Sequence, residues 1–339
     1  MQKKLSNGKL LNEFGNVHEA GYAFDLVKEY QRSDIKAPKS RIKEWDYYYI
    51  GNNRYGVALT IADNSYMGLI GVTFFDFKER VEFTKNIMLL FTRGKLKLPS
   101  TSQIGNVEVH RKDIDIVFEN DGTKRHLTCR IPQFTGKEAF ECAIDLINPS
   151  TDSMVIVTPF HKSKYFYYNQ KINCLKGSGF VKIGTKSYDF SKTLGVLDWG
   201  RGVWTYHNTW YWSSLSTKIG SDLVGFNLGY GFGDTSAASE NMLFLNGIGT
   251  KIDQVFFNIP HTTKETDDFM SPWTMTSNDG AVDLIFQPIL DRHSHTSLGI
   301  IASNQHQVFG YFKGTLVCKE KSIQLDHALG FAEKVMNKW

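Results

Sequence analysis

Four cysteines in 339 residues, with no Cys-x-x-Cys pair among them, leave no framework for structural zinc or a dithiol redox centre. Cys129, Cys142, Cys174 and Cys318 are widely spaced, and reduced thiols in a cytoplasmic chain are the simplest expectation. Nowhere do about eighteen apolar residues run consecutively, so no transmembrane helix is expected. The opening MQKKLSNGKLLNEFGNVHEAG is basic at its start but lacks the apolar run of a secretory signal. Charge of one sign is also scarce: the net charge is +4, and the basic residues are dispersed. Without a basic stripe or an arginine-rich arm, nucleic acid is excluded as an expected partner. Aromatic residues, by contrast, make up 14% of the chain, an excess typical of β-rich proteins and of sites that hold flat or apolar ligands.

Glycine is unevenly placed. In LVGFNLGYGFGD, residues 223–234, Val224, Phe226, Leu228, Tyr230 and Phe232 fall on one face of a strand. Gly225, Gly229, Gly231 and Gly233 fall on the other, with only Asn227 between them. The spacing is G-x-G-x-G with no amphipathic helix after it, which excludes a dinucleotide fingerprint, and no Lys-Ser/Thr pair follows as a P-loop requires. Two readings stay open: a tight bend in a curled sheet, or a bare floor over which a ligand or another backbone lies.

Period-two alternation dominates elsewhere. DIDIVFEN sets Ile114, Ile116 and Phe118 against Asp113, Asp115 and Glu119, and YGVALTIAD sets Val57, Leu59 and Ile61 against Ala58, Thr60 and Ala62. Turn signals such as GNN, ENDGT, NPSTD and SNDG separate these runs, an all-β pattern. KEAFECAIDLINP fits a helical stripe and a strand about equally, and its context favours a strand. An aromatic strand, a hairpin and a small-residue strand ending in Asp occur twice, ending at Asp63 and at Asp234, which points to two similar antiparallel β-domains. The expected organisation is a wrapping segment over 1–40, a first domain over 41–175 and a second over 176–339.

The second half holds the dense polar chemistry. GVLDWGRGVWTYHNTWYW packs Asp198, Arg201, His207 and four tryptophans (Trp199, Trp204, Trp210, Trp212) into residues 195–212. The glycines flanking Arg201 would let the backbone turn and bring Asp198 against the guanidinium, either orienting a site or pinning a sheet corner. Trp204, Trp210, Trp212 and Tyr230 are candidate pocket walls, although most such rings simply fill cores. Glu240 and Asn241 follow the glycine strand. A carboxylate pair of Asp234 and Glu240 would push one pKa up and suit general acid–base work, whereas two solvated loop carboxylates would not. Glu333 alternates with Phe331 and Val335, so it is expected among apolar neighbours, or paired with Arg292 or Arg201. Asp291, His293 and His295 share a strand face as a metal half-site without an evident third or fourth ligand; neither metal nor cofactor is expected.

Taken in order, KEWDYYYI, LDWGRGVWTYHNTWYW, NLGYGFGDTSAASEN, PWTM, FQPILDRH, HQVFGYFKG and GFAEKVMNKW resemble a widespread bacterial family catalogued as a domain of unknown function. That family is distantly similar to double-lipocalin proteins of the carotenoid 1,2-hydratase and tocopherol-cyclase-like type and to fungal pericyclases. The resemblance implies an all-β fold of two lipocalin-like antiparallel barrel or sandwich domains in tandem, with an apolar pocket between or inside them. In the hydratase type a His, an aromatic cluster and an acid protonate an isoprenoid double bond. His207, Trp210, Tyr230 and Asp234 stand in a similar order here, although the interval from His207 to Trp210 is wider than the His-x-Trp of that type. Asp198, Glu240 and Glu333 therefore compete for the acid. The glycine face would floor the pocket beneath Trp210 and Trp212 with Asp234 at its rim, or else permit close packing against the first domain.

Three functions follow. The first is an enzyme of hydratase, cyclase or isomerase type acting on an apolar, isoprenoid- or polyketide-like molecule by proton transfer, with Arg201 orienting the proton carriers. The second is a lipid-binding or carrier protein with the same pocket and no perturbed titratable group. The third is a carbohydrate-active protein using paired carboxylates and aromatic stacking in an open cleft.

Overall fold

A computed structural model of the chain describes residues 2–147, 152–264, 266–298 and 301–339. Among these residues regular structure is β throughout, apart from two single-turn 3-10 segments, Arg32–Asp34 and Lys39–Arg41. The ambiguous segment is strand Glu138–Ile147, as its context indicated. Two large antiparallel sheets dominate. In the first, a meander from Ile42–Gly51 through Val81–Leu90 is closed by Thr193–Val203, which pairs back onto Ile42–Gly51 and is flanked by Phe166–Ile183. In the second, a meander from His207–Ile219 through Ile248–Lys251 is closed by Lys321–Lys338, which pairs back onto His207–Ile219 and is flanked by Ile301–Cys318. The nine strands of the second sheet follow the same order as nine of the thirteen in the first, so the chain is a tandem of two curled half-barrels with lipocalin-like topology.

The sheets exchange between Val203 and His207. The expected boundary at 175/176 falls inside the long strand Phe166–Ile183, whose first half pairs with Met154–Pro159 and whose second half pairs with Glu138–Ile147, with a register shift between Ile172 and Leu175. In the N-terminal segment Leu5, Leu10 and Leu11 are buried in the first core, and Gly21–Ala23 adds a short strand to Met154–Pro159.

Alternation divides the apolar side chains into three layers. Val57, Leu59, Ile61 and Ile116 fill the first core; Val224, Phe226, Leu228 and Phe312 fill the second. Between the sheets, Tyr49, Phe75, Phe309 and Phe331 pack edge-on and tilted at 4.4–6.1 Å and make one end of the seam solid. At the other end the strand Tyr55–Asp63 presents only Thr60 and Ala62 beside Tyr47 and Trp45, its cross-strand partners. Small side chains there leave volume unfilled.

The glycine face of Asp222–Tyr230 is a packing device, not the cavity floor. A Cβ on Gly225 would come within 2.7 Å of Cys174 Sγ and 3.3 Å of Asn173 Cβ, on the facing sheet. Asn173 Nδ2 crosses the same gap to Phe226 O at 2.9 Å and Ser214 Oγ at 2.8 Å. At Gly231 and Gly233 φ is +94° and +76°, a left-handed backbone that glycine adopts without strain. The bend breaks the alternation, so Phe232 leaves the face of Val224–Leu228 and swings into the seam.

Gly225→Ala is expected to force the two sheets apart locally and lower stability by about 1–3 kcal/mol. Urea unfolding of the variant against the parent measures it.

Candidate active site

The unfilled end of the seam is a cavity of about 220 Å³ bounded by both sheets. Its aromatic walls interlock: Trp45 stacks on Tyr167 at 6.0 Å, and Trp204 meets Trp45, Trp210 and Phe232 edge-on at 5.1, 6.0 and 4.8 Å. The LDWGRGVW stretch builds this wall by regular alternation. Asp198, Gly200 and Gly202 face the seam, whereas Trp199, Arg201 and Val203 face the first core. A Cβ on Gly200 would sit 1.9 Å from Trp45 Cζ2, so the missing side chain is what lets that indole lie across the strand.

Five charged side chains line the cavity: Lys171, Asp198, Glu240, Arg292 and Glu333. Lys171 and Asp198 are direct cross-strand partners, and their Nζ and Oδ2 are 2.8 Å apart with both side chains nearly buried. Asn169 donates to Asp198 Oδ1 at 2.6 Å, and Lys171 Nζ lies 3.8 Å from the centroid of the Trp212 ring. Glu333 accepts from Trp210 Nε1 at 3.0 Å and from Gln307 Nε2 at 3.2 Å. Gln307 is bridged in turn to Arg292 at 3.0 Å and to Tyr47 of the first sheet at 3.3 Å. Glu240 reaches the cavity because Gly229 is bare: a Cβ there would lie 2.8 Å from its carboxyl carbon. Asn227 fixes the loop by donating to Glu240 O at 2.7 Å and accepting from Trp212 Nε1 at 2.7 Å.

Burial pushes both glutamates up to about 7. For Glu240 the Asp198 charge adds to this, against the opposing Lys171 and Lys251. For Glu333 the Trp210 hydrogen bond and Lys171 oppose it. The cavity therefore holds two carboxyls that exchange protons near neutrality beside a buried ion pair.

The sequence candidates separate accordingly. Asp198, Trp204, Trp210, Trp212, Glu240 and Glu333 meet at the cavity. Arg201 does not: it lies on the opposite face of its strand, fully buried, donating to Asp46 Oδ1 at 3.0 Å, Trp45 O at 2.8 Å and Pro99 O at 2.8 Å. No turn brings it to Asp198, because the strand stays regular through both glycines. His207 is exposed at the start of its strand, edge-on to Tyr206. Asp234 is exposed beyond the Gly231–Gly233 bend, and the backbone and hydroxyl of Ser236 hold its carboxyl below the usual range. It is thus no partner for Glu240. Tyr230 stacks on Tyr211 at 4.5 Å in the second half-barrel, and Asn241 is structural, accepting from Gly229 N at 2.7 Å and donating to Asp253 O at 2.8 Å. Asp291 pairs with His306 at 2.7 Å, and His293 stacks on that same ring at 4.0 Å. Among the described residues no three His, Cys, Asp or Glu side chains are placed to hold a metal ion.

Lys171, Trp45, Tyr47 and Gln307 were not singled out from the sequence. The signal for Lys171 lies in FYYNQKINC, where Asn169, Lys171 and Asn173 repeat at every second position of a β stretch.

The family described as a domain of unknown function, DUF2804, matches residues 2–339. No curated protein is matched by the sequence. In fold, the chain is similar to a structure assigned as AttH of Nitrosomonas europaea, with a TM-score of 0.55 and 12% identity over 87% of this chain and 92% of that one. It is also similar to kievitone hydratase of Nectria haematococca, with a TM-score of 0.50 and 11% identity over 99% and 98% of the two chains. No helix among the described residues is long and apolar enough to cross a membrane.

The raised glutamates fix the sign of a pH effect. A carboxyl with a higher pKa in the folded than in the unfolded state costs nothing below about 4.5, and its penalty grows as pH rises through about 7. Glu240→Gln is therefore expected to gain stability relative to the parent between pH 5 and pH 8, by on the order of 3 kcal/mol. Paired urea titrations at the two pH values measure the gap; a gap independent of pH would contradict the buried-carboxyl assignment.

Proposed function

The chain belongs to the DUF2804 family, and we propose that this member is a lyase or isomerase of hydratase or cyclase type that transfers a proton to or from an apolar small molecule held between its sheets. The observation that carries this reading is the pair of carboxyls, Glu240 and Glu333, raised to about 7 within an aromatic cavity. A general acid–base works best when its pKa lies near the working pH, and neither group needs a cofactor to act. The shared fold with a hydratase supports the class of reaction by analogy only.

The hydrogen bonds distinguish the two roles. Both oxygens of Glu333 receive N–H donors, an arrangement that suits the ionised form and a base. The Glu240 carboxyl rests against Gly229 facing the cavity and is the better proton donor. Protonation of a substrate double bond by Glu240 would leave positive charge on carbon. The ring of Trp45 can stabilise such a charge, and water activated by Glu333 can quench it, or Glu333 itself can remove a neighbouring proton. Addition of water gives a hydratase; proton removal gives an isomerase.

The test begins with mass spectrometry of an organic extract of the purified protein. Any ligand recovered is then returned to ligand-free protein in deuterated water. Deuterium incorporation or a gain of one water is expected with the parent. Glu240→Gln is expected to lower that rate by about 10²-fold or more, with ligand affinity changed only a few-fold. His207→Ala is expected to leave both unchanged. A ligand that stays chemically intact in the parent protein would favour a carrier.

A further inference from the structure

Two cationic side chains line the seam cavity, and only one of them is paired. Lys171 has Asp198 at 2.8 Å. Arg292, on strand Val282–Leu298, is partly buried and lines the same space. Among the described residues its guanidinium forms no ion pair, and its one hydrogen bond runs from Nη1 to Gln307 Oε1 at 3.0 Å. Gln307 donates in turn to Glu333 at 3.2 Å, so an amide stands between the cation and that carboxyl. A guanidinium presents its N–H donors in a rigid planar fork, and all but the one on Nη1 are uncommitted here.

The polar groups along the same margin also lack partners. Asn64 is held by a turn, its N donating to Met67 O at 2.8 Å, and it is only 7% exposed. Its carboxamide nevertheless lines the cavity and makes no hydrogen bond within the protein. Ser294 and Gln305, which are cross-strand partners, line the cavity with side chains equally uncommitted. Buried polar groups almost always find partners, so an unpartnered buried carboxamide at a cavity wall marks a place for a polar occupant.

Register gathers these groups on one side. Gln307 meets Tyr47 across the seam at 3.3 Å and Phe309 meets Tyr49 at 5.2 Å, which fixes how the sheets run past each other. Arg292 is the cross-strand partner of Gln307, and Thr60 is that of Tyr47. The next step along the strands leads to Ser294 and Gln305 on the second sheet, and on the first to Ala62 and then Asn64. Arg292 therefore borders the space that Thr60 and Ala62 leave unfilled. Strand Ile42–Gly51 separates this margin from the strands that bear Asp198 and Lys171.

We infer that Arg292 binds a carboxylate on an otherwise apolar ligand, at the margin of the cavity shared by Asn64, Ser294 and Gln305. The inference rests on the reading of the seam cavity as the ligand site and narrows its substrate class to apolar acids. The free edge of the guanidinium matches both oxygens of a carboxylate, and the neighbouring amides and hydroxyl can each donate or accept. The body of the ligand then crosses beside Trp45 toward Glu240, so the carboxylate anchors and a remote bond reacts. A cavity of about 150 Å³ accommodates benzene; 220 Å³ suits a ring with a short acid chain.

Isothermal titration calorimetry with 4-phenylbutanoate and 4-phenylbutan-1-ol, which share one skeleton, tests the head group directly. The parent protein is expected to bind the acid at least tenfold more tightly than the alcohol. Arg292→Met should abolish that preference while changing alcohol affinity less than threefold. Arg292→Gln removes the charge but keeps an N–H for Gln307 and should do the same; it carries the test alone if Arg292→Met does not fold. Arg111→Met, an equal change of charge at an exposed site, should leave the preference intact. Equal binding of both probes by the parent, or an undiminished preference in the Arg292 variants, would overturn the carboxylate site and leave the apolar cavity standing. In that case Arg292 would serve only to hold Gln307 against Glu333. Failure of the parent to bind either probe would overturn both readings.

Discussion

An ion pair taken out of water must be resolvated by the protein around it, and the buried contact between Lys171 and Asp198 imposes that demand on the whole seam. Its position is set by sheet register, since the two residues are opposed on neighbouring strands. Asn169 supplies a hydrogen bond to the carboxylate, and the face of Trp212 lies against the ammonium. Trp212 is held in turn by Asn227, which also ties down the loop bearing Glu240. One buried charge pair thus links both sheets, the indole wall and the placement of the ionisable glutamate. The same pair acts on the two glutamates, where Lys171 opposes their loss of charge and Asp198 favours it.

The two half-barrels repeat a topology without repeating the packing at the seam. Ile42–Gly51 and His207–Ile219 occupy equivalent positions, and both present aromatic side chains to the seam. The small-residue strands that follow them differ. Tyr55–Asp63 carries Thr60 and Ala62 toward the seam and leaves space, whereas Asp222–Tyr230 carries glycines and closes onto the first sheet. Asp63 accepts from Ser65 N, Thr92 Oγ1 and Gly94 N in a buried turn, whereas Asp234, its counterpart in sequence, is exposed. Packing two curved sheets back to back creates a layer that neither core contains, and the cavity with its buried charges lies in that layer.

Alternation along single strands was sufficient to read the all-β class, the buried faces of Val57–Ile61 and Ile114–Phe118, and the tandem of two units, because period two is a local consequence of the extended backbone. The aromatic richness of residues 195–212 also marked the right part of the chain for Trp204, Trp210 and Trp212. Glu333 could be proposed from its apolar surroundings in sequence, whereas Glu240 was reached through a pairing with Asp234 that the fold does not form. Arg201 and His207 drew notice for their residue types alone, and residue type says nothing about which face of a sheet a side chain occupies. Parity already separated Asp198 from Arg201, three positions on; the flanking glycines masked this by suggesting a turn.

The sequence by itself determined the strand periodicity, the aromatic supply and the absence of a recurrent metal or nucleotide motif, since these are properties of neighbours along the chain. Only the tertiary structure decided that Lys171 faces Asp198, that Gly229 makes room for Glu240, and that Lys43 is enclosed by Tyr66, Trp204 and Trp339. Each of those contacts joins residues distant along the chain, through a register or a sheet-to-sheet approach that no local pattern specifies. Burial then converted ordinary glutamates and a lysine into groups that titrate near neutrality, because desolvation depends on what encloses a charge and not on what precedes it in sequence.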